Sequence, residues 1–127
     1  MATIESDGWT LISAEDRQAE HRDTFHIPSR EQRESLARGD GAQLLFDIET
    51  RDGDRLIDRG VDRLWVIVKE RTGSNYLGVL DSDPGSAEGL NLHAGQLITF
   101  RSEHVAQIGR PPPEYIEKKY GASFFED

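Results

Sequence analysis

The run Arg63-Leu64-Trp65-Val66-Ile67-Val68-Lys69-Glu70, followed after Arg71-Thr72-Gly73-Ser74 by Asn75-Tyr76-Leu77-Gly78-Val79-Leu80-Asp81, decides the fold. β-branched and aromatic residues dominate both halves, and a short linker containing glycine joins them, which is the pattern of a β-hairpin. Alternation puts Leu64, Val66 and Val68 on one face of the first strand and Trp65 and Ile67 on the other. A strand that is apolar on both faces is covered on both, so it belongs at the centre of a sheet. Gly78 in the partner strand predicts a bulge or a close approach by a large side chain, with Trp65 the candidate.

Upstream, Leu44, Phe46 and Ile48 alternate with Leu45, Asp47 and Glu49, as in a half-buried strand. Residues 50–62, with Asp52-Gly53-Asp54 and Gly60, read as a loop or a long hairpin connection. Downstream, Asp81-Ser82-Asp83-Pro84-Gly85 is a turn, and residues 86–94 are a loop pinned by Leu90 and Leu92. A strand at 96–101 follows Gly95, and a short last strand spans 105–108. Towards the N-terminus, Trp9-Thr10-Leu11-Ile12 is a short strand, and Ser13 with Asp16 starts a helix to about His21. Ser29 with Gln32 forms a capping box that predicts a second helix ending at Gly39, with Arg30 and Glu34 paired. Pro111-Pro112-Pro113 opens a C-terminal helix with Glu114 set to pair with Lys118 and Gly121 as its stop. Phe124-Phe125 then either dock on the domain or form an adhesive end.

The expected architecture is α+β. It is a single domain over residues 1–127, with a curved antiparallel sheet of about five strands, N-terminal helices and a short C-terminal helix. A small SH3-like barrel is one form such a sheet takes. The ends at 1–8 and 122–127 are expected to be flexible. The expected core is Trp9, Leu44, Phe46, Leu64, Val66, Val68, Leu77, Val79, Ile98 and Phe100.

Composition narrows the function classes. The 127 residues are 35% hydrophobic and 31% charged, so one thin core under a wide solvated surface is expected. The longest apolar run, Leu64-Trp65-Val66-Ile67-Val68, is far short of the ~18 residues that cross a bilayer. Met1-Ala2-Thr3-Ile4-Glu5-Ser6-Asp7 has neither a basic nor an apolar signal region, so a cytoplasmic location is expected. The absence of cysteine excludes disulfides, thiolate metal sites and cysteine nucleophiles. A net charge of −9 disfavours binding to nucleic acid or anionic lipid, where lysine and arginine must neutralise phosphate. No acidic run exceeds two consecutive residues, so the charge is a dispersed surface property and not an acidic tail.

Several residues carry candidate chemistry. Asp81 and Asp83, with Glu88 as a third oxygen donor, could ligate a hard cation, while aspartate before Ser and Pro-Gly is also ordinary turn chemistry. His21, His26, His93 and His104 show no zinc spacing, and His104, just before the last strand, is the best single candidate for a functional imidazole or else a packed one. Trp65 and Tyr76 on the central hairpin could form an aromatic ligand face or belong to the core. There is no Gly-x-Ser-x-Gly elbow and no phosphate-binding glycine loop. No cofactor or metal is expected.

The segments Asp62-Arg63-Leu64-Trp65-Val66, Tyr76-Leu77-Gly78-Val79-Leu80-Asp81-Ser82-Asp83-Pro84 and Leu92-x-x-Gly95-x-x-Ile98-x-Phe100 resemble the YegJ-like bacterial domain family of unknown function. Thr24-Phe25-x-Ile27-Pro28-Ser29 and Gly39-Asp40 extend the likeness over roughly residues 9–109. Leu64 stands where the family pattern commonly has Met, Ser82 where it has Asn, and Gln96 where it has Asp. The resemblance implies a fold and no activity, although Ser82 would matter if its side chain met a ligand.

Three functions are then expected in order. The first is a non-enzymatic protein-binding module, such as an immunity or inhibitor protein acting on a basic partner. The second is a small-molecule or peptide-binding domain using Trp65 and Tyr76. The third is a small hydrolase or metal enzyme built from Asp81, Asp83 and His104, which requires those side chains to converge.

Overall fold

The computed structural model describes residues 2–84 and 92–126. Thr3 caps a single helical turn, α1 (Ile4–Asp7), and Gly8 at φ 77° ends it, leading into β1 (Trp9–Leu11). Ser13 accepts the Asp16 N–H and starts α2 (Ala14–Glu20), as its sequence predicts. The capping box at Ser29 and Gln32 forms and opens α3, which spans only Arg30–Arg33. The expected continuation to Gly39 does not form. Leu36 turns into the core, and its N–H donates to the Tyr76 hydroxyl at 3.3 Å, so it is withdrawn from the helical ladder.

The sheet follows as β2 (Gly41–Asp52), β3 (Arg55–Thr72), β4 (Asn75–Leu80) and β5 (Leu97–Arg101). A 3₁₀ turn, Ser102–His104, then leads into β6 (Val105–Gly109). All pairings are antiparallel, in the order β1-β2-β3-β4-β5, and β6 returns to the first half of β2 while β1 lies on its second half. The result is a curled half-barrel. Residues 50–62 are not a loop: β2 and β3 stay paired from Gly41↔Ile67 out to Asp52↔Arg55.

Alternation divides the sheet into an inner and an outer face. The inner face, with Leu44, Phe46, Val66, Val68, Tyr76, Leu80, Ile98 and Phe100, closes on Trp9, Leu36 and Leu92. On the outer face, Ile67 and Val79 are covered by α4 (Pro113–Tyr120) and the 3₁₀ turn Ala122–Phe125, through Ile116 and Phe124. Leu45 and Ala106 are covered by Ala14, with Ile12, Phe25 and Ile27 at the rim. β3 is therefore covered on both faces where its sequence is doubly apolar.

Several expectations need correcting. The register shifts between Val68 and Glu70, so Lys69 is the extra residue of a bulge on β3 opposite Gly78. Gly78 makes room for Phe100, Val66 and the Ile67 carbonyl, not for Trp65. Tyr76 rather than Leu77 faces the inner core, and Val79 is buried on the outer face. The two ends carry α1 and a 3₁₀ turn whose Phe124 is buried, so the aromatic pair docks and is not adhesive. Gly39 sits at φ +93°, and a Cβ there would lie 2.7 Å from the Phe125 ring. The expectations placed on Gly85, Glu88 and Leu90 fall outside the described residues. Among the described residues no helix is long and apolar enough to cross a membrane.

Candidate functional site

Asp81 follows Leu80 at the end of β4, where its N–H donates to the Trp65 carbonyl at 2.9 Å. Register therefore sets Asp81 beside Trp65, and both side chains lie on the outer face of the sheet. The Trp65 indole lies over Gly109 and Gly41, where a Cβ would come within 3.2 and 3.4 Å of its ring. Pro111 and Tyr115 complete the walls of a cleft of about 280 Å³ that also takes in Ile67, Asp81 and Arg110.

α4 supplies the polar side of this corner. Ile116 anchors the helix on Ile67 and Val79, and helical spacing then brings Tyr115, Lys119 and Tyr120 to Asp81. Tyr115 donates to Oδ2 of Asp81 at 2.8 Å, Tyr120 donates to Oδ1, and the Lys119 ammonium donates to Oδ1 at 3.0 Å and to the Asp81 carbonyl. Burial pushes the Asp81 pKa up, but the donations from Tyr120, Tyr115 and Lys119 outweigh it and hold the carboxyl below its ordinary value of 3.8. Burial and the Asp81 charge together raise the Tyr120 phenol. For Lys119, burial pulls the pKa down, but the bonds to Asp81 and Tyr115 and the Asp81 charge outweigh it, so the ammonium is held above its ordinary value. A carboxylate committed to three donors is an anchor for the C-terminal helix.

Asp81→Asn removes the charge that all three donors address, and is expected to cost about 2 kcal/mol of stability near neutral pH. Because the folded pKa of Asp81 is depressed, its contribution is fully present above the ordinary value of 3.8 and is lost as pH falls through the lowered folded value. Urea unfolding of both proteins from pH 7 to pH 2 should therefore show their stabilities converging at the acid end.

The other predicted residues lie elsewhere. Asp83 is exposed and accepts the N–H of Ala94, eleven residues further on, at 2.8 Å, so its carboxylate serves as a backbone tie and not as a local turn bond. Ser82 is exposed at the bend. Tyr76 is buried on the opposite face from Trp65, stacked on Phe100 with ring centroids 5.2 Å apart, and its hydroxyl donates to the Arg33 carbonyl at 3.0 Å. The expected Trp65/Tyr76 face therefore does not form. His104 is buried, and its Nδ1 accepts the Arg101 N–H at 3.0 Å, which assigns the proton of the neutral ring to Nε2. Burial lowers its pKa. Asn75 pairs with Arg101, so the turn that carries His104 leaves β5 at the end of β4 opposite Asp81, and the Asp81 carboxylate is committed to Tyr115, Lys119 and Tyr120. The constellation a hydrolase would need is not assembled. Among the described residues no group of three His, Asp or Glu side chains is placed to hold a metal ion.

Sequence reading passed over a second feature, the far end of the β2/β3 ladder. Every residue from 51 to 61 is exposed, including Leu56 at 48%, Ile57 at 55% and Val61 at 43%. Thr50 pairs with Asp58 and Arg51 with Leu56, so Ile57 is the extra residue of a bulge, a device that re-aims a side chain. Arg59 binds Asp47 at 3.0 Å, and Arg51 bonds Glu49 and the Asp54 carbonyl, fixing the base of the arm.

The chain matches no family model, no curated protein and no solved structure.

Proposed function

We propose that the chain is a non-enzymatic protein-binding module of the immunity or inhibitor kind that engages a basic protein. The observation that supports this reading is the arm of β2 and β3, which carries Leu56, Ile57 and Val61 into solvent. A two-stranded ribbon gains little stability of its own, and large apolar side chains on it gain area only against a second molecule. Asp52, Asp54, Asp58 and Asp62 flank those residues alongside Arg51, Arg55 and Arg59, of which Arg51 and Arg59 are paired with Glu49 and Asp47, and the net charge of −9 steers a cationic partner towards the chain. Apolar anchors inside a rim of mixed charge fit a partner with a hydrophobic pocket and a polar surround, and the chain's overall charge favours a basic one.

The tagged chain passed through native lysate is expected to retain one basic protein in stoichiometric amount. Leu56→Asp combined with Ile57→Asp should weaken that capture at least tenfold while leaving the thermal midpoint of the isolated chain in place. A chain that repeatedly elutes alone, or a double variant that captures as much partner, overturns the reading.

The cleft beside Trp65 supports a second reading, a small-molecule or peptide-binding domain. Its volume of about 280 Å³ is at the low end for a ligand pocket, and Trp65, Pro111 and Tyr115 supply the apolar walls such pockets use. A thermal-shift screen in which a hit stabilises the chain but not Trp65→Ala would favour it.

A further inference from the structure

Arg17 of α2 and Arg63 of β3 line one cleft of about 360 Å³ on the outer face of the sheet. Helical spacing brings in the first. Ala14 seats α2 on Leu45 and Ala106, and Arg17 and His21, one and two turns further on, share that side of the helix. The Thr24 and Phe25 N–H groups both bond the His21 carbonyl, at 3.1 and 2.9 Å, so the chain folds back and delivers Phe25 to the same cleft. Strand register brings in the second. Arg63 pairs with Leu45 and Val61 with Asp47, which puts all four side chains on the outer face.

Among the described residues neither the Arg17 nor the Arg63 guanidinium has a carboxylate or carbonyl partner. Arg63 only lies over the Phe25 ring, 5.3 Å from its centroid. The carboxylates nearby are committed or turned away. Asp47 is held through both oxygens by Arg59, at 3.2 and 3.0 Å, and Glu15 is held by Arg33. Asp62 pairs with Phe46 of the inner core and so lies on the other face of β3. Asp16, Glu20 and Asp23 neighbour these residues in the chain, and none of them lines the cleft.

The polar lining is therefore Arg17, His21, Thr24 and Arg63, all able to donate, with no carboxylate among them. Each guanidinium presents a planar fork that matches the oxygens of a phosphate. A phosphate monoester carries about −2 near neutral pH and answers both cations, whereas a carboxylate would leave one of them unbalanced. The remaining lining is apolar: Leu45 is buried, Phe25 is half-buried and Val61 is 43% exposed, so an apolar body on the ligand gains area there. The net charge of −9 repels anions at long range, and affinity must come from contacts inside the cleft.

We infer that this cleft binds a small phosphate monoester, with the phosphate between Arg17 and Arg63 and an apolar body against Phe25, Leu45 and Val61. The site shares only Val61 with the arm and stands independently of the protein-binding reading.

The probe is phenyl phosphate, with inorganic phosphate, benzoate and benzyl alcohol as controls, followed by amide chemical shifts of the full isotope-labelled chain. Phenyl phosphate should bind at least tenfold more tightly than any control, with saturating shifts at Arg17, His21, Thr24, Phe25 and Arg63. Arg17→Gln and Arg63→Gln should each weaken it tenfold or more, and together they should remove it. Arg22→Gln, beside the cleft but outside its lining, should bind as the unaltered chain does. Neither guanidinium makes a hydrogen bond in the free chain, so the thermal midpoints of these variants should stay close to that of the unaltered chain. Arg17→Lys and Arg63→Lys keep the charge without the fork and should fall between. Inorganic phosphate binding as tightly as phenyl phosphate leaves the apolar lining without a role, and benzoate binding as tightly makes the ligand a carboxylate; either overturns the inference. The absence of saturating shifts at those five amides, or a folded double variant that binds as the unaltered chain does, overturns it too. If lysate capture yields a partner while phenyl phosphate leaves the amides unmoved, the cleft is refuted and the protein-binding reading stands. If capture fails while phenyl phosphate moves them, the reverse holds.

Discussion

Tyr76→Ala is expected to destabilise the domain by about 4 kcal/mol, the range for truncating a large buried aromatic side chain. The ring is fully enclosed between Phe100 on the neighbouring strand and the Arg71 guanidinium, which lies 5.2 Å from its centroid. Its hydroxyl donates to the Arg33 carbonyl and accepts the Leu36 N–H, tying the end of α3 to the inner sheet. Tyr76→Phe keeps the packing and strands those two buried backbone groups, so it should cost about 2 kcal/mol. Urea unfolding followed by circular dichroism measures both, with the slope against denaturant unchanged. A ligand-contacting tyrosine would behave differently, because its phenylalanine variant would lose binding while keeping its stability.

The fate of Tyr76 shows where the sequence is legible. The hydrophobic alternation in β2 and in residues 64–68 of β3 reports burial, and the structure follows it except that Leu64, expected in the core, is only partly buried, while Leu45 and Glu49 on the other face of β2 are buried. Past Lys69 the bulge inserts one residue, and because the side-chain period of a strand is two, a one-residue offset exchanges the faces. Leu77 and Tyr76 are both apolar enough for either face, so nothing in the residues themselves reveals the exchange. The Asp81 anchor is hidden for a different reason: its partners lie 34 to 39 residues away on α4, and no local pattern links them. Glu114 and Lys118 have the right helical spacing to pair, yet Lys119 is the cation engaged, because Ile116 fixes which side of the helix meets the sheet. The arm is illegible by its nature. Periodicity records which residues are buried, and a ribbon exposed on both faces leaves no such record.

Arg33→Ala is expected to cost about 3 kcal/mol, because it withdraws the donor that joins three separate segments. Arg33 is a charged side chain in a short exposed helix, yet it is buried. Its Nε donates to the Pro28 carbonyl at 2.9 Å, and its Nη1 donates to the Ser102 carbonyl at 2.9 Å and to the Glu15 carboxylate on α2. One guanidinium therefore holds the entry to α3, the 3₁₀ turn before β6 and the N-terminal helix in one arrangement. Arg33→Lys keeps the charge but has one compact donor group in place of a planar fork, so it should recover only part of the loss. Arg33→Met keeps the volume and leaves Glu15, which is half exposed, to water. It should fall between wild type and alanine, at about 2 kcal/mol, the cost of the two unpaired carbonyls. Native-state hydrogen exchange would locate the effect: amides of α2 and α3 should open at lower free energy, while β3 and β4, which Arg33 does not touch through its side chain, should keep their order of protection. An alanine variant with an unchanged midpoint and unchanged α2 protection would show that the packing of Ala14 on Leu45 and Ala106 holds the N-terminal layer without the guanidinium.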